Sequence, residues 1–119
     1  MRAVGQLLAL GLLCLCTSVH AQTPYNCAMT NRDSRSDTLA LNFLIDPSVK
    51  KAYMMANNGA SEVIVIPNDD AAVSFIEVTK SGNVMTTTIT DKGRAVHSRN
   101  SVMRGDLNPS QYLGTCSRK

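Results

Sequence analysis

His97 and Arg99 stand two positions apart in the run Arg94-Ala95-Val96-His97-Ser98-Arg99-Asn100-Ser101, which can be read as a strand. At that spacing an imidazole, a guanidinium and the hydroxyl of Ser101 share one strand face. Together they could hold an anion or a carboxylate, so His97 and Arg99 form the candidate binding site. The competing reading is a polar outer face near a sheet edge. Adding Glu77 would give an enzyme built on His97, Arg99 and Glu77. The sequence does not complete that set, because no serine lies in a nucleophile elbow and His97 has no evident nucleophile or acid partner.

Other chemistries fare worse. A zinc site needs three or four imidazole or thiolate ligands, which one histidine and a pair of bridged cysteines cannot supply. Asp69-Asp70 lacks the spaced oxygen ligands of a calcium loop, and there is no glycine-rich phosphate cradle. No metal and no cofactor are expected. Thr86, Thr88 and Thr90 form one threonine-rich strand face, which reads as a solvent surface. Arg104-Gly105-Asp106 spells an adhesion tripeptide, yet glycine between charged residues is ordinary turn chemistry. Met54-Met55, Met85 and Met103 either fill a core short of aromatics or line an adaptable apolar pocket.

Whatever positions these residues is expected to work outside the cytoplasm. Arg2, the apolar run Leu7 to Leu15 and Val19-His20-Ala21 have the layout of a cleaved export signal over 1–21. The apolar run is too short for a bilayer core, which needs ~20 residues. Leucine rather than a small residue precedes both Cys14 and Cys16, which argues against lipid attachment. Cleavage after Ala21 would leave two cysteines, Cys27 and Cys116, and we expect them to pair. A bridge closing about ninety residues is worth ~4.5 kcal/mol in the chain-entropy model. With no asparagine glycosylation sequon, the chain is expected to be periplasmic or secreted and bacterial.

The whole sequence of 119 residues carries a formal net charge of +3, and the basic residues are scattered singly or in pairs. That pattern gives a solvated surface rather than the basic stripe that binds nucleic acid. The length after the signal suits a single small domain. With no tryptophan and only two phenylalanines, we expect Val, Ile, Leu and Met to do most of the packing.

From residue 38 onward the pattern is strands and turns. Residues 22–37 look irregular, an N-terminal arm held by Cys27, and a single β domain follows over 38–119. Leu39, Leu41, Phe43 and Ile45 alternate on one face. Lys50 to Ala56 reads as a weaker strand, with a helical turn or two over Ser48 to Met55 as the alternative. Val63-Ile64-Val65-Ile66 is apolar on both faces, which suggests a strand covered on both sides. Val73 to Thr79, Val84 to Thr90 and Arg94 to Met103 form a meander with a glycine in each connection, and Gln111 to Cys116 closes the series. About seven short strands predict an all-β antiparallel sandwich or barrel, its N- and C-terminal segments joined by one disulfide. The residues expected inside are Leu39, Leu41, Phe43, Ile45, Val63, Val65, Phe75, Ile76, Val78, Ile89 and Val102.

Tyr25-Asn26-Cys27 near the start and Gly114-Thr115-Cys116 near the end resemble small exported bacterial β-domains. Periplasmic lysozyme inhibitors, which have a terminal disulfide around an antiparallel barrel, are among them. The resemblance covers the two ends and the general layout. That family's Ser-Gly-Ala-type loop and barrel tryptophan have no counterpart here, so the resemblance implies no site residues.

The sequence leads us to expect a non-enzymatic binding module contacting another exported protein or a cell-envelope component, without a membrane span. The alternatives are a carrier of a small apolar ligand in a barrel cavity, and the enzyme on His97, Arg99 and Glu77.

Overall fold

The computed structural model describes residues 23–48, 51–57 and 59–118. The expected signal over 1–21 lies outside them. Eight strands follow one another: β1 Thr23–Asn31, β2 Ser34–Asp46, β3 Lys51–Ala56, β4 Gly59–Pro67, β5 Val73–Val78, β6 Val84–Ile89, β7 Arg94–Met103 and β8 Asp106–Arg118. Each pairs antiparallel with the next, and β8 returns to pair with β1, so the sheet closes into a barrel. Closure removes the exposed edges that an open sheet would leave. Of the two architectures expected, it is the barrel that forms.

Turn chemistry supports this order. Met103 pairs with Asp106 across the two-residue turn Arg104-Gly105, where both residues have positive φ, 52° and 82°. That is the geometry of a type I′ hairpin, whose twist matches that of the strands it joins. The adhesion-like tripeptide Arg104-Gly105-Asp106 is therefore this turn and the first residue of β8.

The expected irregular arm over 22–37 is instead largely strand. Tyr25, Cys27 and Met29 alternate inward on β1, with Cys27 and Met29 buried. Asn26 and Ala28 between them, one polar and one small, face outward, which hid the pattern. A register shift beside Asn31 accommodates Arg35 to Asp37 as a bulge in β2, and bulges of this kind re-aim a side chain. The strand alternative for Lys51–Ala56 is the one that forms, not the helical one.

The core is a filled barrel interior. Phe43 and Phe75 stack with ring centroids 4.3 Å apart, and Tyr25 meets Phe75 edge-on at 6.0 Å. Both phenylalanines of the chain are thus at the centre, buried as the alternation predicts. Ala52, opposite Ile45 and Val63, is fully buried in the same core cluster. Leu41, Val63 and Ile89 are buried as expected; Leu39, Ile45, Val65 and Ile76 are half-buried.

Val78 and Val102, expected inside, are exposed, and so are Ile64 and Ile66 on β4. One reason covers all four: a closed barrel has a single interior, and these residues point away from it. The doubly covered strand expected at Val63–Ile66 is therefore buried on one face only. The outer face also carries Asn26, Asn42, Lys51 and Glu62.

Cys27 and Cys116 sit directly opposite each other on β1 and β8 and form a disulfide. The bridge joins the first and last strands across the closing seam. Beside it, β1 and β8 pack so closely that a Cβ at Gly114 would lie 2.0 Å from the carbonyl oxygen of Ala28.

Candidate functional site

The register assigns the inward side chains to rows. Phe75, Thr87, His97 and Tyr112 are successive cross-strand neighbours on β5 to β8, and Asn31 on β1 continues the row. One row nearer the pole that carries the β3–β4 and β5–β6 turns come Glu77, Met85, Arg99 and Ser110. The lower row closes the interior, and the upper row forms the wall of a cup.

His97 belongs to the lower row. It is 1% exposed, so the outer-face reading of this residue is corrected. The phase was ambiguous because apolar residues occupy both parities of β7, Ala95 inside and Val96 outside. Both ring nitrogens are engaged. Nδ1 lies 2.7 Å from Oγ1 of Thr87, and Arg99 donates its Nε–H to Nε2 at 3.1 Å. A guanidinium can only donate, so Nε2 must accept, the proton sits on Nδ1, and Thr87 is the acceptor. Burial, with the neighbouring Arg99 charge, pushes the imidazole pKa down to about 4. The ring is a neutral structural link whose one lone pair is occupied.

The guanidinium of Arg99 also lies 5.0 Å from the centroid of the Tyr112 ring, in cation–π range. Tyr112, itself buried, donates its hydroxyl to Oδ2 of Asp37 at 2.7 Å, and Asn31 Nδ2 donates to the same oxygen at 2.9 Å. Those two bonds, the Asn31 one foremost, hold the Asp37 carboxyl below its usual range, with the Arg99 charge helping. The bond to Asp37, and then burial, raise the Tyr112 phenol above 10. The β2 bulge is what brings Asp37 to this position. A relay of side chains thus runs from Thr87 through His97, Arg99 and Tyr112 to Asp37.

Above it opens a cavity of about 410 Å³. Leu39, Leu41 and Met54 supply apolar lining, Met85 stands between Glu77 and Arg99, and those two are its only charged lining residues among the described ones. Glu77 is half-buried, and its Oε2 is buried with no hydrogen-bond partner among the described residues. The β4–β5 ladder stops at the Ile64–Ile76 pair. Past that point Gly59 and Ser61 on one side and Glu77 and Thr79 on the other line the cavity, so the cup extends along an unzipped seam.

The three residues singled out in the sequence, His97, Arg99 and Glu77, therefore meet at one site, with His97 as its support. Of the methionines, Met54 and Met85 line the cup, while Met55 and Met103 are exposed. Tyr112, Asp37, Asn31 and Thr87 were not foreseen, since Asp37 and Tyr112 are 75 residues apart and only the register brings them together. Among the described residues, no three His, Cys, Asp or Glu side chains gather in a way that could hold a metal ion. No family model, curated protein or solved structure matches the chain. What is defined is a class of architecture, a small closed antiparallel barrel with a disulfide between its first and last strands, and such a fold does not by itself fix a function.

Proposed function

We propose that this is an exported, non-catalytic binding protein that receives a small ligand in the cup. One observation carries the reading: a cavity of mixed polar and apolar lining includes Glu77, a carboxylate with one oxygen, Oε2, that is buried and lacks a donor among the described residues. An unsatisfied buried acceptor costs free energy, and a ligand donor would supply the missing bond. The disulfide suits an oxidising compartment, in keeping with export from a bacterial cell. Because Nε2 of His97 is taken, the imidazole has no free lone pair with which to act as a base. The test is a fragment screen read by ¹⁵N–¹H correlation spectra of the oxidised protein. Shifts should cluster at Leu39, Met54, Glu77 and Met85; shifts confined to the outer surface would overturn the assignment.

A second reading, a protein or cell-envelope partner, rests on the outer face. Val78 pairs with Val84 and Val102 with Leu107, and the four are 60%, 41%, 52% and 81% exposed. Paired exposed apolar residues can mark a contact surface. Replacing Val102 and Leu107 by serine should then abolish capture of an envelope partner while leaving cup binding unchanged.

A further inference from the structure

The charges of the cup narrow the ligand. Glu77 and Arg99 occupy the same row on β5 and β7, with Met85 of β6 between them. Two strand spacings separate their backbones by roughly 9–10 Å. No ion pair joins the two side chains; among the described residues the one such pair is Lys51–Glu62 on the outer surface. A carboxylate and a guanidinium thus line one cavity without pairing with each other, although Arg99 also lies near enough to Asp37 to lower its carboxyl. Arg99 is tethered through Nε to His97 and held over the Tyr112 ring, and among the described residues no hydrogen bond occupies its terminal nitrogens. Turning it toward Glu77 would cost both contacts. Beside the two charges, Met54, Met85 and Leu39 offer an adaptable apolar surface.

Resting on the cup as binding site, we propose that its ligand is a small zwitterion with an apolar side chain, the size of a free amino acid or a dipeptide. Its ammonium group donates to the carboxylate of Glu77, its carboxylate lies against the terminal nitrogens of Arg99, and its side chain packs on the methionines. The ligand completes a charge arrangement that the protein leaves open. A cation alone would satisfy Glu77 and leave the terminal nitrogens of Arg99 without an acceptor; an anion alone would do the reverse.

Leucine, methionine and leucyl-leucine, each with its N-acetyl and C-amide derivatives, can be titrated into the oxidised protein and followed by the amide signals of Glu77, Met85 and Arg99. At least one parent compound should shift all three residues. Either derivative should bind about tenfold or more weakly, the scale of a lost charge-assisted bond. Glu77→Gln should weaken the parent by a similar factor and shrink the penalty for N-acetylation, with unchanged dichroism and His97 ring signals as the control for folding. The relative strength of leucine and leucyl-leucine distinguishes a free amino acid from a dipeptide. Derivatives that bind as well as the parents would overturn the zwitterion. If hexylamine or hexanoate shifts the cup and no zwitterion does, this ligand class is wrong but the cup stands. Silence from every compound would remove both.

Discussion

Arg99 donates its Nε–H to Nε2 of His97 across 3.1 Å, a bond that an imidazolium could not accept. Protonating the ring would set two cations against each other inside the barrel. The folded protein therefore holds His97 neutral far below the pH at which an unfolded chain would protonate it.

Stability should follow from that difference. The unfolded histidine takes up its proton near pH 6.5, the folded one only at about 4. Across that window the unfolded state binds more protons, so stability is full above about pH 6.5 and falls as the pH drops toward 4. Urea denaturation at pH 7.0, 6.0 and 5.0 should show a falling midpoint. In His97→Gln most of the change between pH 7 and 5.5, above the range in which carboxylates titrate, should vanish.

Tyr112→Phe removes the hydroxyl that Asp37 accepts and leaves the ring beneath Arg99. The expected cost is about 1 kcal/mol, typical of a single hydrogen bond. A phenol raised above 10 contributes stability that is present below pH 10 and lost as the pH climbs through its folded value. Asp37→Asn should lower the Tyr112 titration as followed by ultraviolet absorbance.

Gly114→Ala should be severely destabilising. Its new methyl would lie 2.0 Å from the Ala28 carbonyl oxygen and 2.7 Å from the Met29 Cα, so β1 and β8 would have to part beside the disulfide. Several kcal/mol is the expected scale. Gly82→Ala is the contrast: its φ is +88° but nothing lies within 4 Å of the added carbon. There the cost should be about 1 kcal/mol, the backbone preference alone.

Reducing the disulfide should lower stability by about 4.5 kcal/mol, the chain-entropy value for a loop of this length. The unreduced, denatured protein should give no thiol adduct, and the reduced protein two within residues 22–119. Two adducts without reduction would rule out the Cys27–Cys116 bridge in the protein as isolated.

Much of the barrel was legible in the sequence because alternation and glycine turns are local signals. Leu39 to Ile45 and the β5–β6–β7 meander could be read directly. β1 could not, because Tyr25, Cys27 and Met29 stand among polar neighbours and mix an aromatic, a thiol and a thioether. Val78, Val102, Ile64 and Ile66 were misplaced because hydrophobicity says that a strand is partly covered and not which face is. The site was half legible: His97, Arg99 and Glu77 stood out by type. That Arg99 makes no ion pair with Glu77 and is instead tied to a buried imidazole depends on register, which spans distant segments. The support from Asp37 depends on a bulge that leaves no period in the sequence.

The bridge between the first and last strands gives the chain a further property. Cys27, the polypeptide to Cys116 and the sulfur–sulfur bond together make a covalent ring threaded through all eight strands. A ring cut once is still one molecule. Cleavage of the backbone at a hairpin tip, such as Lys80 to Gly82 between β5 and β6, would leave both fragments tethered, with every strand still beside its neighbours. In an environment rich in proteases, the barrel should survive a single nick with its cup intact and come apart only when the nick is combined with reduction.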